Sequence, residues 1–364
     1  MKIEGGKEDE PEKEGFIPIL TIEKALNIVK PCNPLFNMKR KVIKQGHNTL
    51  TVTLPSEWIK RFNVQPGAEI DMSELNNGLF LSTEKLSPEK KTEFSIMDLD
   101  IPTIWKYFMA AYREGYDEIV VKFEPGMLLE SPYKYLAQHK YDPKYKNAGK
   151  VPIESALQGF VSRFIGLEIV EHGKDFVRIK EMGELTSKEF DNSLRRMFFI
   201  MQQMAEETLK ATQSNNSKFT SSMHDIDISM DKFQDYCTRI LNKLGNKDSQ
   251  KTSLLFSIMF ILELAADEFK NVSYHLTQKT KKFSPDIEKM ALLVKQQIDA
   301  YQVLFYKFNK ESLSEIGGID TEIYLNIDKL YKKATEEEKE VIHHLRVISR
   351  YYNALMELRI EMEF

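Results

Sequence analysis

Four acidic residues in the carboxyl-terminal half of the chain are spaced so that their side chains could hold a metal ion. They form two pairs four residues apart, Asp227 with Asp231 and Glu263 with Asp267. Residues four apart share one face of a helix, so each pair points the same way. Carboxylates held close together resist ionisation unless a cation or a proton offsets their charge. An oxygen-seeking metal ion is therefore the predicted partner of these side chains.

The helices that carry the two pairs are predicted to lie side by side. The pair midpoints, positions 229 and 265, average to 247, which falls inside the segment 245–249 between the two predicted helices. Residues equally far from the loop of an antiparallel hairpin are level, so the four carboxylates should meet about 27 Å from that loop. Acidic pairs with this spacing also occur on ordinary solvated helix faces, and that interpretation stays open.

The predicted helical region begins near Thr186. Apolar residues recur there at spacings of three and four, which is typical of long amphipathic helices. The helices are predicted to form two three-helix bundles, 186–280 and a degenerate 284–364, and Thr335 with Glu338 makes a capping box. The predicted breaks lie at residues 245–246, 284–285 and 317–318. The six predicted helices span residues 192–211, 226–244, 252–277, 286–308, 321–333 and 336–363.

Residues 36–85 have the pattern of a small β module. Leu50, Val52 and Leu54 alternate with polar residues as in a half-buried strand, and Pro55 opens a short helix. Turns are predicted at 66–67 and 77–78, the second of them closing a hairpin. A module of about fifty residues buries too little apolar surface alone. Since the chain contains one copy, the sequence predicts a homodimer.

This module, over residues 40–82, resembles the SpoVT/AbrB (MazE-like) family of swapped-hairpin DNA-binding modules. The resemblance implies interleaved strands from two protomers facing a roughly two-fold DNA site. Glu57 is the single acid between Lys39 and Arg61, and local positive charge suits contact with phosphates. A dimerisation module with solvated lysines is the alternative. The predicted DNA-binding residues are Lys39, Arg40, Lys41, Lys44, Asn48, Lys60 and Arg61.

The helices are similar to those of the phosphate-uptake regulators called PhoU. The likeness rests on residues 194–207, the Asp-x-x-x-Asp-Lys-Phe run that starts at position 227, Arg239, the run 262–267, and Asn271. The resemblance implies that the four carboxylates ligate a metal cluster of iron or zinc, with magnesium or manganese as alternatives. A SpoVT/AbrB-like module, an α/β unit and PhoU-like helices in this order resemble the archaeal branch of that family.

The second predicted bundle departs from this pattern. Arg346 and Arg350 stand where acids belong, and Tyr324 precedes Asp328 where a paired acid would stand. Guanidinium groups cannot bind a cation, although they can hold an anion or pair with carboxylates. The sequence therefore predicts one metal site and not two.

Two adjacent histidines on the last predicted helix are weaker candidates for metal ligands. Glu340 and His343 have the spacing of a di-iron ligand pair, but such sites need two of these motifs and two further glutamates. His343 and His344 are therefore expected to be ordinary positions on a long helix.

Residues 90–183 are predicted to form a small α/β unit that links the module to the helices. Its predicted helices are 101–114 and 153–165, and its predicted strands are 118–123, 167–170 and 176–179. The loop 125–150 interleaves lysines with tyrosines, which suits a nucleic-acid strand. A solvated, mobile insertion is the other interpretation of this loop.

Composition excludes several classes of protein. The chain has 364 residues, a formal net charge of −4 and two cysteines, which argues against a disulfide framework or a zinc finger. No apolar run is long enough to span a membrane, and the charged residues 1–35, predicted to be a disordered or short arm, do not form a signal peptide. The protein is therefore expected in the cytoplasm. Motifs typical of nucleotide-dependent or nucleophilic enzymes are absent from the sequence, so it is expected not to be an enzyme.

Together these patterns predict a multidomain α+β protein with a small swapped-hairpin β module, a central α/β unit and a mainly helical carboxyl-terminal region. The predicted function is transcriptional regulation of phosphate uptake by a homodimer that binds DNA, with a metal-binding helical sensor. The alternative is an adaptor that regulates a phosphate transporter through its helices and uses the β module only to dimerise. Phosphate transporter subunits or a signalling protein at the membrane are the further predicted partners.

Overall fold

The structure is a computed structural model and describes residues 39–46, 49–75, 78–83, 89–130, 149–183, 185–213, 219–245, 251–278 and 283–364. The predicted arm at 1–35, Asn48 and the interior of the predicted loop 125–150 lie outside these ranges. The chain divides into two compact units, Met1–Glu69 and Ile70–Phe364.

The described part of the first unit consists of two short strands and one short helix. Strand β1 (Ile43–Gln45) pairs antiparallel with β2 (Thr49–Thr51). Gly46 follows β1 with a φ of 76°, a left-handed value that glycine adopts without strain. Helix α1 (Ser56–Arg61) begins directly after Pro55, as predicted. None of the described residues of this unit is buried, so its apolar side chains have no core within the unit.

A β-hairpin opens the second unit. Strands β3 (Ile70–Leu75) and β4 (Gly78–Thr83) are antiparallel, and Leu75 pairs with Gly78. Because this glycine belongs to the ladder, the connecting residues are 76–77, one position earlier than the predicted turn. Those two residues lie outside the described part of the chain.

The central α/β unit is built on a four-stranded sheet. Among the described residues, six strands follow the hairpin: β5 (Lys91–Ser95), β6 (Glu118–Lys122), β7 (Leu128–Glu130), β8 (Lys150–Pro152), β9 (Leu167–His172) and β10 (Phe176–Glu181). The sheet has the order β5–β6–β10–β9, with β5 parallel to β6 and the other neighbours antiparallel. The three predicted strands are confirmed, whereas β5 was not predicted. Strands β7 and β8 pair with each other at the two ends of the predicted loop.

Two helices pack with this sheet through aromatic side chains. Helix α2 (Ile101–Arg113) is capped by the Asp100 side chain, and α3 (Ile153–Val161) ends four residues before its predicted end. Phe108 of α2 stacks on Phe160 of α3 with ring centroids 5.4 Å apart. Both rings are buried, so the two helices and the sheet share one hydrophobic core.

Six long helices lie in the described residues from Ser187 to Glu361, as predicted. They are α4 (Ser187–Gln213), α5 (Phe219–Leu244), α6 (Thr252–Gln278), α7 (Pro285–Tyr306), α8 (Lys310–Lys333) and α9 (Glu336–Glu361). Helices α4, α5 and α6 pack together, as do α7, α8 and α9, and the two groups meet where α4 contacts α7 and α6 contacts α9. No helix in the described ranges is both long and apolar enough to cross a membrane.

One predicted break is wrong. Helix α8 continues through residues 317–318, although two glycines in a helix interior cost about 1 kcal/mol each relative to alanine. Ile316 and Ile319 flank them and are buried against the bundle, and this packing outweighs the poor local propensity. The predicted capping box of Thr335 and Glu338 is confirmed.

Candidate functional site

The four acidic residues predicted to hold a metal ion lie together at the α5–α6 hairpin, and we call this group the carboxylate centre (Asp227, Asp231, Glu263 and Asp267). The first two lie on α5 and the last two on α6. Burial, and next the charge of Asp231, raises the pKa of Asp227 to about 7. Burial, and next the charge of Asp267, raises the pKa of Glu263 to about 8. Protonation therefore competes with cation binding at this centre near neutral pH.

The protein supplies its own cation to the carboxylate centre. The side chain of Lys270 on α6 is only 6% exposed, and its ammonium lies 2.8 Å from Oδ2 of Asp227 and also pairs with Oδ1 of Asp267. Burial lowers the pKa of Lys270, but the two carboxylates outweigh burial and raise it above its ordinary value. The lysine therefore stays charged and neutralises part of the centre.

A second cation reaches the centre from the α/β unit. Arg163, which follows α3, places Nη2 at 3.1 Å from Oδ2 of Asp231. Burial raises the pKa of Asp231, while the charges of Lys270 and Arg163 act in the opposite direction. Oδ1 of Asp227 is buried and has no hydrogen-bond partner among the described residues. Two internal cations thus face four carboxyl groups.

The side chains of the centre do not fit a single metal ion bound by all four carboxyl groups as they stand. Within the described ranges, no three of these groups bring ligand oxygens within 4.8 Å of one another. The ammonium of Lys270 contacts both Asp227 and Asp267, where an ion shared by those two residues would have to lie. The excess negative charge and the unpartnered oxygen of Asp227 suit a cation. The Lys270 ammonium must move away from Asp227 and Asp267 before a metal ion can bridge these two residues.

Helix α5 also binds the α/β unit through Arg239, which is completely buried. Its Nε donates to Oε1 of Glu181 at 3.0 Å. Nη1 and Nη2 donate to the main-chain carbonyls of Tyr112 and Tyr116 at 2.7 and 2.9 Å. The guanidinium also lies 4.9 Å from the centre of the Tyr112 ring. Three acceptors and one ring face therefore compensate a charge that water cannot reach.

Further ion pairs extend this contact along α5. Nε of Arg113 lies 2.5 Å from Oδ1 of Asp235, and Lys243 lies 2.5 Å from Oε2 of Glu181. Burial raises the pKa of Asp235 to about 6, although the charge of Arg113 acts against it. Residues at four-residue spacing share a helix face. We call this row on α5 the docking stripe (Asp231, Asp235, Arg239 and Lys243).

The second bundle has a different surface at the corresponding place. Arg346 and Arg350 of α9 line a groove together with Asp320 and Tyr324 of α8. Guanidinium groups occupy the positions where the first bundle has carboxyl groups, so the described residues of this bundle form no second carboxylate centre here.

Six of the seven predicted DNA-binding residues lie in the described part of the first unit, and all six are exposed. Lys44 belongs to β1, and Lys60 and Arg61 end α1. The other three are Lys39, Arg40 and Lys41, which precede β1. Asn48 lies outside the described residues.

Residues 43–91, from β1 to the start of β5, match the sequence family described as antidote-toxin recognition MazE, bacterial antitoxin. These residues are a MazE-like module. The predicted identity of the β module is thereby confirmed, and the chain combines a MazE-like module with a long helical region.

The chain is also similar in structure to the phosphate transport system regulatory protein PhoU from Streptococcus pneumoniae. The TM-score is 0.41 and the sequence identity is 17%, over 48% of this chain and 95% of that one. No curated protein sequence gives a significant match to the chain.

Sequence reasoning missed the cations that accompany the carboxylates. Lys270 follows Asp267 by three residues, which places both on one helix face, and this spacing was a usable signal. Arg163 and Arg113 reach α5 from the α/β unit, more than 60 positions away in sequence, so no local pattern could reveal them.

The raised pKa of Glu263 predicts how stability depends on pH. Its folded-state pKa of about 8 lies above the ordinary value of 4.5, so the folded protein binds the extra proton and this group's contribution to stability falls as pH rises from about 4.5 to 8. Glu263→Gln should therefore raise the free energy of unfolding at pH 8.5 by on the order of 1 kcal/mol and flatten the slope above pH 5. Urea denaturation followed by circular dichroism at several pH values measures this. The exposed Glu315→Gln is the control, and equal slopes in both variants would contradict the crowded centre.

A substitution at Arg239 tests whether the docking stripe holds the α/β unit to α5. Arg239→Ala removes the buried guanidinium that pairs with Glu181 and with the carbonyls of Tyr112 and Tyr116, and breaking a buried network of this kind costs about 3–5 kcal/mol of unfolding free energy. The exposed Arg196→Ala should change it by less than about 0.5 kcal/mol. Chemical denaturation measures both, and a loss below about 1 kcal/mol for Arg239→Ala would show that the buried guanidinium does not hold the α/β unit to α5.

Proposed function

We propose that the protein is a transcriptional regulator of phosphate uptake that binds DNA as a homodimer through its MazE-like module. The observation that supports this most directly is the set of exposed lysine and arginine side chains at the start of the module and at the end of α1. Contacts to phosphates supply most of the sequence-independent affinity of a protein for DNA. With an overall net charge of −4, the chain can attract DNA only through such a local patch.

The module's exposed apolar side chains support a dimer. Val42 and Leu50 in the first unit expose 64% and 70% of their surface, and Met72 and Leu79 in the β3–β4 hairpin expose 70% and 71%. A small β module with so little buried surface is not stable alone, and a second copy offers apolar surface of the same kind. Two copies also place two equal basic patches on one DNA site.

The link to phosphate rests on the resemblance of the helical motifs to the PhoU regulators. In this proposal the helices respond to a partner protein or ligand, and this changes the affinity of the dimer for DNA; the coupling acts equally in both directions. If the helices instead serve as an adaptor on a transporter, the module only dimerises the chain, and DNA binding is absent.

We further propose that a divalent metal ion binds the carboxylate centre in exchange for Lys270. Iron or zinc is expected from the resemblance, with manganese or magnesium as alternatives. Carboxylate oxygens are the ligands available, and the negative charge left after both internal cations are counted supports a divalent ion. Asp227, with one oxygen on Lys270 and the other unpartnered, is the residue best placed to accept the ion.

DNA binding is tested by its salt dependence. The purified full-length protein selects a duplex from a random library, and its affinity for that duplex is measured by fluorescence anisotropy between 50 and 300 mM salt. Removal of three phosphate contacts in each of two protomers by the Lys39, Arg40 and Lys41 triple alanine variant should reduce the slope of log K against log salt by up to about 5.

The control for this measurement is the triple alanine variant of Lys329, Lys332 and Lys333, which removes the same charge from an exposed face of α8. Its slope should equal that of the wild type. A protein that enriches no duplex, or a slope that falls equally in both variants, would favour the adaptor.

Metal exchange at the carboxylate centre is tested with Mn²⁺, which prefers oxygen ligands. Lys270→Gln removes the competing ammonium and should tighten Mn²⁺ binding at least tenfold in titration calorimetry. Lys295→Gln, at another partly buried and ion-paired lysine, should leave the affinity unchanged. Mn²⁺ binding that is no tighter in Lys270→Gln than in the wild type would contradict the exchange.

A further inference from the structure

A second group of potential metal ligands lies where the two helical bundles meet. It consists of His275 on α6 and of Glu340 and His344 on α9, and one ligand atom of each residue lies within 4.8 Å of those of the other two. Among the described residues this is the one group of three or more histidine, cysteine or acidic side chains that meets this distance. It shares no residue with the carboxylate centre.

The packing of α6 against α9 brings these residues together. Glu340 and His344 are four residues apart, so they share one face of α9. Glu268 of α6 contacts His344 of α9. Seven residues further along α6, His275 lies close to Glu340, which precedes His344 by four residues on α9. The two helices are therefore antiparallel here, and the rings of His275 and His344 stack with centroids 5.4 Å apart.

A carboxylate outside the group orients one of the ligands. Nδ1 of His344 lies 2.5 Å from Oε2 of Glu268, and both side chains are mostly buried. A carboxylate accepts hydrogen bonds, so in the neutral ring Nδ1 carries the proton and Nε2 keeps the lone pair. Histidines that bind metals commonly have such a carboxylate on the other ring nitrogen, which fixes the tautomer and raises ligand basicity.

The second imidazole, of His275, is partly buried beside Glu340 and stacks against the ring of His344. The partly buried histidines and the exposed carboxylate leave the group open to solvent on the Glu340 side.

We propose that His275, Glu340 and His344 form a binding site for a divalent transition metal of the zinc type, positioned by Glu268, that joins the two helical bundles. Two imidazoles and one carboxylate suit Zn²⁺, and a fourth position remains for water or another ligand. Because ligands from α6 and α9 belong to different bundles, the bound ion links the bundles and stabilises their contact. This site is independent of the carboxylate centre and of DNA binding.

The test measures Zn²⁺ and Co²⁺ binding to the full-length protein after chelator treatment. Wild-type protein should bind Co²⁺ with visible absorption bands that Zn²⁺ abolishes, and Zn²⁺ should raise its melting temperature. His275→Ala and His344→Ala should lose the bands, and Glu340→Gln should weaken Zn²⁺ binding to this site at least tenfold. Glu268→Gln should weaken it 10- to 100-fold and keep the cobalt bands, as expected of a positioning residue.

His343→Ala is the matched control, since His343 is the exposed neighbour of His344 and lies outside the ligand group. It should behave as the wild type. The Asp227→Asn and Glu263→Gln double variant, which alters only the carboxylate centre, should keep the cobalt bands of the histidine site. Glu340→Gln changes one exposed side chain, so it tests the site even if a histidine variant fails to fold. The proposal is overturned if Glu340→Gln binds Zn²⁺ as tightly as the wild type, or if the double variant loses the cobalt bands.

Discussion

Charges buried along helix α5 determine how the second unit is assembled. A buried guanidinium without partners would cost several kcal/mol, so Arg239 requires acceptors that its own helix cannot provide. Glu181 at the end of β10 and the carbonyls of Tyr112 and Tyr116 at the end of α2 supply them. A cation is also favoured at the carboxyl end of a helix such as α2. The sheet, α2 and α5 therefore have one mutual position in which this charge is satisfied.

The same helix connects the α/β unit to the carboxylate centre. Asp231 belongs to both the docking stripe and the centre, and Arg163 binds it from the α/β unit. The charge of the centre changes when a proton binds or when a cation replaces Lys270. Such a change therefore alters the electrostatic environment of Asp231, which also binds the α/β unit through Arg163. Helix α6 has a similar double role, because it carries Lys270 towards α5 and His275 towards α9.

Local patterns in the sequence were sufficient to predict most helices and strands and the acidic residues of the carboxylate centre. The six long helices follow from apolar periodicity, and the carboxyl groups of α5 and α6 from their equal distance to the connecting loop. The predicted break at 317–318 was wrong because packing of the flanking isoleucines outweighs glycine's low helix propensity. Arg163, Arg113 and the grouping of His275 with His344 depend on contacts between distant segments, which a single sequence does not encode in any local pattern. His343 and His344 were interpreted as ordinary positions because one Glu-x-x-His spacing does not make a di-iron site.

Asp231 belongs at once to a crowded carboxylate centre and to the contact with Arg163. Selective ¹³C labelling of aspartate side chains allows the titration of Asp231 to be followed by NMR in the wild type and in Arg163→Met. We expect Asp231 to titrate above its ordinary pKa of 3.8 in the wild type, because burial outweighs the nearby cations. We expect a further rise in its pKa in the variant, because one of those cations is gone. An ordinary pKa in both proteins, or the same pKa in both, would contradict this double role of Asp231.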